Sequence, residues 1–183
     1  EKTITAHPFS PEGWSIRAMS LNRLERYGES ISSALHAVSL AEQLPAETPN
    51  KHVSQARAIA FLAESYLDSG QIDRAMNTVE EALELNPNSF EAYQVRGKIY
   101  QLGYYDLVSA YNDFETAHNI APNMIYVTIW LARIEQDFEN RVELLQDIAD
   151  LNPNNTFALF ELGAYYFRVE GNYNEASAKL TSC

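Results

Sequence analysis

Apolar residues recur along most of this chain at steps of three and four, the spacing that lines one face of a helix and not the alternation of a strand. Over residues 56–89 the stripe Ile59, Leu62, Ala63, Tyr66 is followed by Gly70, a second stripe of Ala75, Val79 and Ala82, and then Asn86-Pro87. The pattern predicts two helices joined by a tight turn. The residue before a proline is pushed out of the helical region, so Asn86-Pro87 closes the pair.

The same pattern returns along the chain. Residues 11–44 carry Trp14, Ala18, Leu21, Tyr27, Ser30, Ala34 and Ala37, with Arg17 in place of an apolar residue and no closing proline. Residues 90–124 carry Tyr93, Gly97, Tyr100, Ala110, Phe114, Ala117 and Pro122, with one extra residue near a turn that Gly103 is expected to open. Residues 156 onward carry Leu159, Leu162, Gly163, Tyr166, Gly171, Tyr173 and Ala176. Residues 125–155 diverge most: Leu131, Ala132, Phe138, Ile148 and Pro153 fit, but the turn is short by about three residues against a 34-residue period. Gly97 and Gly163 fall inside predicted helices, where glycine costs roughly 1 kcal/mol against alanine. Their recurrence predicts a close neighbour.

This order of large residue, Leu, Gly, Tyr, Ala, aromatic, Ala and Pro over about 34 residues resembles the tetratricopeptide repeat. The resemblance implies an all-α fold, a right-handed α-solenoid of antiparallel helix pairs with about five repeats. Residues 1–183 are then one array: 1–10 the tail of a preceding repeat, repeats at 11–44, 56–89 and 90–124, a divergent repeat at 125–155 and a truncated one at 156–183. The joint at 45–55 is an insertion. Asn50 there is placed to cap a helix that starts early, at Lys51, and runs to about Asp68. It resembles the longer repeats of scaffold and regulator members, or is a tolerated surface insertion. Both ends read as cut, since the chain opens without Met and Tyr173–Cys183 stops inside a motif. The expectation is an excerpt whose ends dock on further repeats or on a second copy.

In such solenoids function lies on the concave face, opposite the packing stripe of each first helix. The partner groove expected from that register comprises Glu64, Gln94, Lys98, Tyr126, Ile129, Arg133, Phe157, Phe160 and Phe167. It is mixed at first and apolar towards the C-terminus. Large apolar residues on a face meant for solvent point to a protein or peptide segment with apolar side chains. Lys98 and Arg133 would hold its polar edge. Two alternatives stand beside this: a following helix covers the aromatics, or the divergent copy is rotated so that they are core. Two family specialisations are absent. The carboxylate clamp's positions carry Ser15, Met19, Phe61, Glu91 and Val95, and the sugar-transferring members' asparagine ladder reads Ile16, Phe61, Val95, Trp130 and Glu161.

Charge and composition narrow the classes further. A formal net charge of −12 argues against nucleic acid, and its field speeds encounter with a basic or amphipathic partner. The longest apolar stretch, Met124–Ile134, contains Thr128 and Arg133 and falls short of the roughly 20 residues of a membrane span. No membrane insertion is expected. The lone Cys183 cannot make an intrachain disulfide, which favours a cytoplasmic over a periplasmic setting. His7, His36, His52 and His118 occur singly, with no pair at helical metal spacing, so no metal, cofactor or catalytic residue is expected. The expected function is a non-catalytic scaffold or adaptor. The alternatives are an assembly or self-association spacer and a regulatory arm of a larger enzyme or secretion complex.

Overall fold

The computed structural model describes residues 10–169 and 171–181, which hold ten α-helices and one π-helical segment and no strand. Residues 1–9 of the expected tail at 1–10, with His7, and the lone Cys183 lie outside them. The chain divides into two compact units, Glu1–Ile120 and Ala121–Cys183.

The first unit holds three hairpins: α1 (Pro11–Arg23) with α2 (Tyr27–Glu42), α3 (Lys51–Asp68) with α4 (Ile72–Leu85), and α5 (Phe90–Lys98) with α6 (Leu107–Ile120). Ser10 caps α1 by accepting from the Gly13 N–H, with Pro11 at the first helical position, and Ser89 caps α5 through the Ala92 N–H. The early start of α3 at Lys51 is observed, but Asn50 does not cap it with its side chain. Its backbone is left-handed instead, at φ 57° and ψ 30°.

A left-handed residue closes the first helix of four hairpins: Glu25, Gly70, Tyr105 and Gly171, at φ of 58°, 79°, 59° and 62°. In each case the following N–H turns back to a carbonyl of the helix, as in Arg26 to Leu21, Gln71 to Tyr66, Asp106 to Tyr100 and Asn172 to Tyr166, all at 2.9 Å. The third turn is therefore made by Tyr105, not opened by Gly103. Gly103 lies in the π-helical segment Ile99–Tyr104, where a Cβ would stand 2.6 Å from Ile72 Cγ2. That segment absorbs the extra residue of this copy, because a π-turn spends one more residue than an α-turn.

Small residues set the hairpin spacing. Ala34, Ala56, Ala63, Ala75, Ala82 and Ala92 are fully buried with Val79 and Ile99. Beside Gly97 lies the ring of Phe114, 2.7 Å from where a Cβ would be, so this glycine is a close approach between α5 and α6. Arg96 grips Asp113 with two hydrogen bonds of 2.7 Å across the same pair, and those bonds raise the Arg96 pKa. Successive hairpins are tied at equivalent positions, 34 residues apart, by Arg57 on Glu91 (2.7 Å) and Lys98 on Glu64 (2.5 Å).

The second unit holds α7 (Ile125–Ile134), α8 (Phe138–Leu151), α9 (Thr156–Arg168) and α10 (Tyr173–Thr181). Ala132, Leu145, Ile148, Ala158 and Leu162 form its core, with Ile129, Phe157 and Tyr166 half-buried against it. With ten residues against eighteen in α3, α7 is short. Its chain leaves the helix at Glu135 in an extended conformation, and Asp137 at once caps α8 through the Glu139 and Asn140 N–H groups. Phe138 and Tyr173, which fit the repeat pattern of their copies, are 50% and 68% exposed. Each opens its helix and stacks sideways, Phe138 on Tyr165 (5.4 Å) and Tyr173 on Phe167 (5.6 Å).

Candidate interaction surface

In the first unit the groove residues Glu64, Gln94 and Lys98 are engaged within the fold. Gln94 is only 7% exposed, because α3 and α5 pack along this side, as the burial of Ala60 and Leu67 also shows. Glu64 and Lys98 are half-buried and bind each other, so they present a neutralised pair. Asp68, one turn beyond Glu64, has its pKa raised from 3.8 to about 6, chiefly by desolvation, then by Glu64, with Lys98 opposing.

That shift has a sign that can be tested. A carboxyl with a raised pKa binds its proton more tightly folded than unfolded, so its favourable contribution is complete below 3.8 and is lost as pH rises through about 6. Asp68→Asn is expected to leave stability unchanged near pH 3 and to raise it near pH 7.5, by less than about 1 kcal/mol, because the residue as a whole is exposed and solvent screens its partly desolvated carboxyl. Urea unfolding at the two pH values checks this, and an equal gain at both would refute it.

In the second unit the expected groove residues divide into floor and rim. Ile129 and Phe157 are half-buried against the core, while Tyr126, Phe160 and Phe167 are 43%, 58% and 54% exposed. Arg133 is exposed, and its guanidinium lies 5.4 Å from the Trp130 ring centre and 5.3 Å from that of Phe157. Such stacking fixes a charge that would otherwise swing freely. Trp130 is a contributor that the register argument passed over, because it lies outside the positions chosen for the groove. The structure brings Glu64 to Lys98 and Arg133 to Phe157.

A second feature of this unit has no counterpart among the expected groove residues. A cleft of about 290 Å³ lies between α8 and α9. Phe138, Val142 and Leu145 line one wall, and Ala164, Tyr165 and Val169 the other. The polar lining is Arg141, Glu161 and Arg168, with Arg141 Nη2 2.7 Å from Glu161 Oε2. In an antiparallel pair the end of the first helix lies beside the start of the second. The shortened α7 therefore withholds side chains from the start of α8, where the cleft is. The missing residues in the divergent copy were its one signal in the sequence.

Among the described residues no group of three or more His, Cys, Asp or Glu is placed to hold a metal ion, and no helix is long and apolar enough to cross a membrane.

Residues 56–99 match the family model described as tetratricopeptide repeat. No curated protein matches the chain. Among solved structures it is similar to MamA 41-end from Desulfovibrio magneticus RS-1, at 17% identity and a TM-score of 0.60 over 93% of this chain and 91% of that one. It is also similar to another crystal structure of MamA, at 16% identity and a TM-score of 0.61 over 88% and 91%. A third is YrrB, described as a TPR protein with an unusual peptide-binding site, at 13% identity and a TM-score of 0.56 over 99% and 88%. Residues 56–99 thus carry a matched tetratricopeptide repeat, and the described residues share the all-helical fold of these proteins.

Proposed function

We propose that the chain is a non-catalytic protein-interaction scaffold or adaptor, and that the unit Ala121–Cys183 holds a partner segment with apolar side chains. The observation that carries this is the exposure of Tyr126, Phe160 and Phe167 beside the half-buried Ile129 and Phe157, with Arg133 held at the edge. Large aromatics left in water above an apolar floor favour an occupant that removes them from it. YrrB's described peptide-binding site supports the same class of partner. In the first unit, the ion pair between Glu64 and Lys98 is already made, so that face offers no free charge from these two residues.

Phe160→Glu tests the reading. The residue is more than half exposed, so the fold should survive, whereas Phe157 packs on the core and its replacement would confuse binding with folding. A partner captured from native lysate, identified, and then titrated as a purified protein is expected to bind the variant at least about 30-fold more weakly, the equivalent of about 2 kcal/mol. Equal binding with unchanged helicity would remove this face from the argument. Light scattering would then decide whether self-association covers it.

A further inference from the structure

The cleft between α8 and α9 is lined by none of Tyr126, Phe160 and Phe167. Its apolar walls come from residues at helical steps, Phe138, Val142 and Leu145 on one side and Tyr165 and Val169 on the other. At about 290 Å³ it sits at the lower edge of ligand-sized cavities, which suits one large side chain better than a whole cofactor.

Its charge is opposite to that of the molecule. The chain carries −12, yet two arginines and one glutamate line this cleft. Arg141 is engaged by Glu161, both about one-third exposed. Arg168 is exposed and makes no ion pair with a described residue. An apolar group entering the cleft would strip water from Arg168, and desolvating a guanidinium that no described carboxylate engages is costly unless an anion arrives with it.

We propose that this cleft is a second recognition site, for a peptide segment of a partner protein that seats one large apolar side chain between α8 and α9 and sets a neighbouring carboxylate against Arg168. An uncharged segment leaves Arg168 uncompensated, and a basic one meets a like charge, so the site selects acidic apolar sequences. It is separate from the Phe160 face and stands or falls independently of it.

The test is a titration of the full chain with acetyl-Ser-Phe-Asp-Ser-amide, its Phe-Asn and its Ala-Asp counterparts, followed by methyl NMR. The Phe-Asp peptide is expected to give saturable shifts at Val142, Leu145 and Val169, with the Ala-Asp peptide at least about tenfold weaker and the Phe-Asn peptide about threefold weaker. Arg168→Gln should remove the preference for Asp over Asn while leaving the apolar contact. Ala164→Leu, which narrows the cleft from its α9 wall, should abolish binding without loss of helicity. Equal binding of the Phe-Asp and Phe-Asn peptides, methyl shifts confined to Ile129 beside the Phe160 face, or no shifts at millimolar peptide would each overturn the proposal.

Discussion

Replacing Phe114 by alanine is expected to destabilise the first unit by about 3–5 kcal/mol. The ring is fully buried on α6 and lies against Gly97 of α5, so its removal opens a cavity that two helices already in close approach cannot easily fill. The same contact gives Gly97→Ala an unusual sign. Alanine inside a helix is normally better than glycine by about 1 kcal/mol. At Gly97, however, the added methyl would meet three atoms of a ring that has no free space, at 2.7 to 3.1 Å. Gly97→Ala should therefore destabilise, and Phe114→Leu should relieve part of that cost when the two are combined. Gly163 is the natural control, since its Cβ would meet the end of Leu180, a half-exposed and movable side chain. Urea unfolding measures all four variants, with hydrogen exchange read in α5 and α6 for the Phe114 and Gly97 variants and in α9 for the Gly163 control. A Phe114→Ala cost under about 1 kcal/mol would show that the unit re-packs around the cavity.

Asp113→Ala carries the second large effect. Asp113 is buried, holds Arg96 by two parallel bonds, and cannot be removed without leaving the guanidinium short of its counter-charge. Breaking one partner of such a pair costs about 3–5 kcal/mol. The lower end is expected here, because the Arg96 side chain is one-quarter exposed and also rests 5.3 Å from the Tyr93 ring centre. The pair itself need not be a net gain. Replacing both residues together, Arg96→Met with Asp113→Leu, should recover most of the loss, since well-packed apolar residues often match a buried ion pair. A double variant as unstable as Asp113→Ala would mean that the pair sets the geometry of α5 against α6 and is not merely tolerated there.

The helix pairs could be read from the sequence because their signal is local. Ile59, Leu62, Ala63 and Tyr66 repeat at helical steps, and all four are buried in one core. Gly70 could be read as a turn because glycine takes positive φ freely, and it does so at 79°. Glu25 and Tyr105 could not, since they hold the same left-handed conformation against their steric preference and only the hydrogen bonds of the turn keep them there. Gly103 looked like a turn residue for the same reason that Gly70 was one. Its role, the close passage of Ile72, depends on a side chain thirty-one positions away.

The candidate site was legible only as a register. Helical periodicity states which residues share a side of a helix, but not how deeply a neighbouring helix covers that side. Gln94 and Ala60 share the register of Phe160, yet the first two are buried and the third is mostly exposed. Phe138 and Tyr173 likewise fit the repeat pattern, and the structure has them exposed and stacked at helix starts.

The sequence by itself determined the architecture: helices of a given length, ended by Gly and Asn-Pro, bearing small residues where backbones meet. These are properties of neighbouring residues and of the period at which they recur. Tertiary structure alone decided which charges are used up inside the fold, which aromatics remain in water, and that a shortened α7 leaves a cleft beside Arg168. Each of those depends on the distance between side chains far apart in the chain, which close packing fixes and periodicity does not.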